Sequence, residues 1–102
     1  MLPPELHVDF IKIDVEGGEY HAMLGGFKTI MRSRPVIVFE ASARSTGLYG
    51  VTAAQLYEFV TARCEMKLST MKRWLRRQEP YTHSEFCSNW EFGPEFYFIA
   101  YP

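Results

Sequence analysis

The sequence predicts an α/β fold of about four strands, the last antiparallel, with two main helices. Three observations predict it. Apolar runs rich in β-branched residues alternate with stretches of helical period, the signature of a parallel sheet with right-handed crossovers. A capping box, Thr52-Ala-Ala-Gln55, opens one of the helices. No helix of usual crossover length precedes the final strand, so that strand is expected to run back antiparallel.

The first strand is VDFIKIDV, residues 8–15, where Phe10, Ile11, Ile13 and Val15 give the near-continuous apolar pattern of a strand buried on both faces. It stops at Gly17-Gly18, which permit a sharp turn. From Glu19 the period changes: Tyr20, Met23, Leu24, Phe27, Ile30 and Met31 lie on one helical face. Phe27, mid-stripe, is expected to contact the sheet. Glu16 and Glu19 near the start and Lys28, Arg32 and Arg34 near the end suit the helix dipole. Gly25-Gly26 in mid-helix cost about 1 kcal/mol each against alanine and point to close packing or a kink.

Pro35 ends that helix, and Val36 to Glu40 form a second buried strand. After a polar loop, the Thr52 helix runs to about Arg63 with Ala53, Leu56, Tyr57 and Val60 inward. Met66, Leu68 and Thr70 alternate with Glu65, Lys67 and Ser69 in a third, half-exposed strand. Lys72 to Tyr81 is basic and irregular. Thr82-x-x-Glu85 caps a single turn with Phe86 inward, and EFYFIAY, residues 95–101, is the fourth strand, its aromatics read as core or sheet-edge residues.

Composition bounds the function. The 102 residues, 47% hydrophobic with sixteen aromatics, make one domain with one modest core. Eleven basic against twelve acidic residues leave a net charge of −1, so the chain as a whole has no pull toward nucleic acid or an anionic membrane, and neither is expected as a partner. Basic residues around Trp74 (Lys72, Arg73, Arg76, Arg77) read as a solvated surface or an anion-binding loop, with nucleic-acid stacking the lesser alternative. Cys64 and Cys87 lack the spacing of a zinc site or redox pair. No apolar run approaches the roughly 18 residues of a membrane helix and MLPPELHVDF lacks a signal-peptide layout, so a cytoplasmic location is expected.

Ligands of open parallel sheets bind outside the carboxyl ends of the strands. Both buried strands end in acids there, Asp14-Val-Glu16 in the first and Glu40 in the second. Adjacent parallel strands bring Asp14 and Glu40 to one rim, within reach of His21 in the first helical turn. Acids before a helix also serve as caps, and that reading stays open, for Glu16 above all.

The stretch FIKIDVEGGEYHAMLGGFKTIMRSRPVIVFE resembles the core of the FkbM-type methyltransferase family: a strand ending D-V-E-G, a helix with L-x-G, then R-P and a strand ending in E. Asp14, Val15, Glu16, Gly17, Glu19, Leu24, Gly25, Arg34, Pro35 and Glu40 stand where that pattern puts them. The TAAQLYEFV helix and the turn at Glu85-Phe86 fit as well. The resemblance implies a class I, Rossmann-like sheet, with the four strands here matching its fourth through seventh and the last inserted beside the fifth. It implies S-adenosylmethionine as cofactor and methyl transfer to a hydroxyl oxygen of a small molecule, a sugar or a polyketide-like natural product.

No G-x-G loop follows a strand, and no upstream strand offers an acid to the ribose hydroxyls. Residues 1–102 are therefore expected to be a partial domain lacking the N-terminal cofactor-binding half and inactive alone, with the cofactor-binding residues unassigned. The retained half supplies the acceptor side, where Asp14, Glu16 or His21 takes the hydroxyl proton. Alternatively Asp14 and Glu40 hold Mg²⁺, whose charge lowers the pKa of the hydroxyl. A competing reading is a half-domain without catalysis that self-associates through the exposed edge of the first strand, giving a homo-oligomer.

Overall fold

The structure, a computed structural model, describes residues 7–14, 17–44, 46–93 and 95–102. Its elements are β1 (Phe10–Ile13), α1 (Glu19–Gly25), α2 (Phe27–Ser33), β2 (Val36–Glu40), a 3₁₀ turn (Thr46–Tyr49), α3 (Ala53–Glu58) continuing into a π-helical turn (Phe59–Arg63), β3 (Lys67–Thr70), α4 (Met71–Leu75), α5 (His83–Phe92) and β4 (Tyr97–Tyr101). The strands form one sheet in the order β1-β2-β4-β3. β1 and β2 are parallel, while β4 is antiparallel to both its neighbours. The last strand is thus inserted between β2 and β3, as the resemblance implies.

Strand alternation sends Ile37, Phe39, Leu68, Phe98 and Ala100 to the face that the helices cover, and each is at most 1% exposed. Phe86 of α5 meets Phe98 edge-on at 5.1 Å, and Leu56, Phe59 and Val60 belong to the same core. The opposite face of the sheet is more open. β1 departs from its expected burial on both faces: it is an edge strand, with Ile11 and Ile13 half-buried toward the helices and Phe10 58% exposed on the other side. β2 matches its expected range residue for residue.

The single helix read from the first apolar stripe is two, α1 and α2, with Gly26 at φ −97°, ψ 11° between them. The glycine pair therefore makes a kink. Past that kink Phe27 turns to Phe59, with ring centres 5.9 Å apart, and lies under the Arg63 guanidinium at 4.7 Å. Arg34 ends α2 in the left-handed region at φ 51°, and its guanidinium donates to the carbonyls of Cys64 and Glu65. The Arg-Pro step thereby ties the end of α2 to the lead-in of β3.

Both expected capping boxes are present, Thr52 with Gln55 and Thr82 with Glu85. The second opens ten residues rather than a single turn, because Trp90 follows Phe86 at i+4 and both are buried. The basic stretch begins with the short helix α4, capped by Thr70, whose hydroxyl accepts from the Arg73 N–H at 3.0 Å. No helix among the described residues is long and apolar enough to cross a membrane.

Candidate functional site

The register Ile13↔Phe39 brings the carboxyl ends of β1 and β2 level, so Asp14 and Glu40 emerge side by side at one rim. They line a small cleft together with Lys12, Val38 and Tyr97. Tyr97 enters because β4 runs antiparallel to β2, which pairs the start of one strand with the end of the other, Tyr97 against Glu40. The Glu40 carboxylate, as hydrogen-bond partner and then as charge, raises the Tyr97 pKa above the ordinary phenol value, and the Asp14 charge adds to this. Tyr97 is therefore a neutral phenol at physiological pH, held beside Glu40, with Asp14 as the exposed carboxylate of the cleft.

Behind the rim, Glu19 fastens the two loops that frame it. Its side chain is 1% exposed and accepts from the Gly17 N–H at 2.8 Å and the Thr46 hydroxyl at 3.2 Å. Thr46 in turn accepts from the Ser42 N–H at 3.3 Å. The turn after β1 and the 3₁₀ turn after β2 are thus joined through one carboxylate. Gly17 supplies a φ of 93°, in the region that favours glycine. Burial raises the Glu19 pKa, more than its hydrogen bonds lower it.

A separate groove of about 320 Å³ lies past the same strand ends. The pair that follows Glu40 and Tyr97 is the Ala41 N–H donating to the Phe96 carbonyl at 3.0 Å. Beyond it, Ser42 and Arg44 of the loop after β2 face Asn89 and Glu91 of α5 and Phe96 before β4. Asn89 donates to the Glu95 carbonyl at 2.8 Å and packs so closely on Gly93 that a Cβ there would lie 2.0 Å from its Oδ1. Phe96 and Tyr97, each 49% exposed, stand with ring centres 5.2 Å apart. Between them the cleft and the groove present a guanidinium, an amide, carboxylates and an exposed aromatic pair.

The structure therefore brings Asp14 and Glu40 together, as the sequence expects. His21 is not among the residues lining their cleft: it is exposed on α1, 5.7 Å from the Tyr20 ring and 6.2 Å from Tyr49. Glu16 lies outside the described residues. Among the described residues no group of three or more His, Cys, Asp and Glu could hold a metal, so the Asp14–Glu40 pair expected to bind Mg²⁺ gains no third ligand of that kind. Tyr97, Arg44 and Asn89 are lining residues that no motif in the sequence marks. The available signal for Tyr97 was its place at the start of an antiparallel strand beside one ending in an acid.

Comparison with known proteins gives one match. The model of the Methyltransferase FkbM domain matches residues 4–79. No curated protein and no solved structure matches the chain. The match takes in β1, the Glu19 fastening, the Arg34-Pro35 step, β2 and the helix that follows, and on that extent the chain belongs to the FkbM methyltransferase family.

Proposed function

We propose that this chain forms the acceptor side of an S-adenosylmethionine-dependent O-methyltransferase acting on a hydroxyl of a sugar or a polyhydroxylated natural product. The observation that carries the reading is the convergence of Asp14, Glu40 and Tyr97 at the carboxyl ends of a parallel strand pair, beside a second, polar groove. Supporting it is the family membership. The Glu40 carboxylate suits the cationic end of S-adenosylmethionine, which leaves Asp14 in the same cleft for the acceptor. When bound, that cofactor supplies an electrophilic methyl group.

The chain's own residues do the rest. The groove side chains orient the acceptor, with Arg44, Asn89 and Glu91 hydrogen-bonding its hydroxyls and Phe96 covering an apolar ring face. Productive transfer needs the acceptor oxygen about 3 Å from the methyl carbon and in line with the breaking bond. Asp14 takes the hydroxyl proton as the oxygen attacks. Tyr97 keeps Glu40 oriented, and Glu40 in turn holds the phenol neutral. The reading includes the proposal that residues 1–102 are the second half of the family's sheet, with the adenosine end of the cofactor bound by the first half. The outer edge of β1, unpaired among the described residues, supports it.

The test is transfer of a labelled methyl group to a panel of polyols and sugars, by the chain joined to an upstream half-domain. Label in an ether that survives base supports the reading. Label in a base-labile ester or an amine, or none in any acceptor, overturns it. The self-association reading rests on that same edge and the exposed Phe10. A dimer by light scattering that Phe10→Lys dissolves would favour it.

A further inference from the structure

The basic stretch after β3 is divided by the fold into two parts. Arg73 is used internally: it pairs with Glu85 at 2.8 Å and lies over the Tyr81 ring at 4.2 Å. Lys72, Arg76 and Arg77 are exposed and make no ion pair among the described residues. Between them, at the end of α4, Trp74 is 41% and Leu75 68% exposed. Leu75 is the most exposed large apolar side chain among the described residues, and the two residues are consecutive. They border a depression of about 480 Å³ that reaches Tyr101, over whose ring the Lys67 ammonium sits at 5.9 Å. The chain's net charge of −1 hides this local concentration of cations.

An aromatic and an aliphatic side chain set forward among cations match the chemistry of a bilayer surface. Tryptophan favours the headgroup level, leucine the acyl boundary below it, and each lysine or arginine near the surface gains from anionic headgroups. A nucleic acid would use the cations and stack on Trp74, but it offers Leu75 no apolar environment. We infer that the α4 tip is a peripheral docking surface for anionic lipid membranes, inserting Trp74 and Leu75 at the interface while Lys72, Arg76 and Arg77 contact the headgroups. This surface is independent of the acceptor cleft and holds whether or not the proposed methyl transfer does.

The test is co-sedimentation of the 102-residue chain with vesicles of phosphatidylcholine alone or with about one third phosphatidylserine, read together with tryptophan emission. The second tryptophan, Trp90, is 7% exposed, so a change in emission on binding reports Trp74. Binding to the anionic vesicles only, weakening with salt and accompanied by a blue shift, is expected. Arg76→Glu with Arg77→Glu should lower that binding about tenfold or more, and Leu75→Ser should weaken it with the charge intact. All three positions are exposed, so both variants should keep the parent melting curve. Absence of binding to anionic vesicles overturns the inference. Equal binding to neutral vesicles does so as well, as does displacement from anionic vesicles by a single-stranded oligonucleotide at lower concentration than by soluble phosphatidylserine.

Discussion

The two sides of the sheet's centre line are built differently. On the β4–β3 side, Phe86 and Phe98 are each at most 1% exposed and Tyr81 closes the ring cluster, which reaches Phe39 of β2, with both capping boxes fixing helices over it. On the β1 side the strand is four residues long, its covering helix is broken at Gly26, and Phe10 and Leu24 are exposed. Much of the chain's aromatic load is thus buried away from the edge where the resemblance puts a further strand. The comparison teaches that the folding energy and the candidate site come from different regions: the β4 side holds the domain together, while β1 contributes an acid and an open edge.

The largest effect that could break this contrast is a core truncation. Phe98→Ala removes a fully buried ring touching Phe39, Tyr81 and Phe86, and should cost about 3–5 kcal/mol, a large fraction of a small domain's stability. Phe10→Ala should stay within about 0.5 kcal/mol of the parent. Denaturant titration of the two variants decides it, and equal losses would erase the difference between the sides.

Next in size is the fastening of the two loops behind the rim, on the β1 side. Glu19→Ala leaves the Gly17 N–H and the Thr46 hydroxyl without their acceptor in a buried place and should cost about 1–3 kcal/mol. Because the folded-state pKa of Glu19 is raised, the folded protein holds this proton more tightly than the unfolded chain. Stability from this group is present below the ordinary carboxyl pKa and is lost as pH rises through the raised value. Glu19→Gln should flatten that part of the stability–pH profile.

The smallest effect sits on the well-packed side. Arg73, first as hydrogen-bond donor, lowers the Glu85 pKa from 4.5 to about 2. Its contribution is therefore complete above pH 4.5 and disappears as pH falls toward 2. Melting temperatures followed down this range should show a slope that Glu85→Gln removes and that added salt reduces.

What the sequence made legible follows the same division. β2 and the two N-caps could be read because local signals are strong there: a run of β-branched residues after Pro35, and Thr with Gln or Glu three residues on. The insertion of β4 was implied by the family resemblance rather than by any local signal. The extent of α5 could not be read, because only Phe86 and Trp90 mark its inner face. The β1 pattern predicts burial on both faces where the structure has an edge, because an apolar run has the same composition at an edge as at a centre and position in a sheet is not local information. In the site, Asp14 and Glu40 were legible from where their strands end. Tyr97 was not, since its approach to Glu40 depends on pairing between positions 57 residues apart in the chain (97 − 40). Glu19 read as a dipole partner, and its burial depends on Thr46 arriving from another loop.

The central claim is that Asp14, on the rim formed by β1 and β2, acts on the acceptor rather than on the cofactor, and Asp14→Asn tests it most directly. The measurement is turnover together with the S-adenosylmethionine dissociation constant, in the chain joined to the cofactor-binding half of its domain. Loss of the base should lower kcat by about a hundredfold or more while the cofactor dissociation constant stays within about twofold. A variant that kept full turnover, or one that lost cofactor binding in proportion to its turnover, would contradict the account.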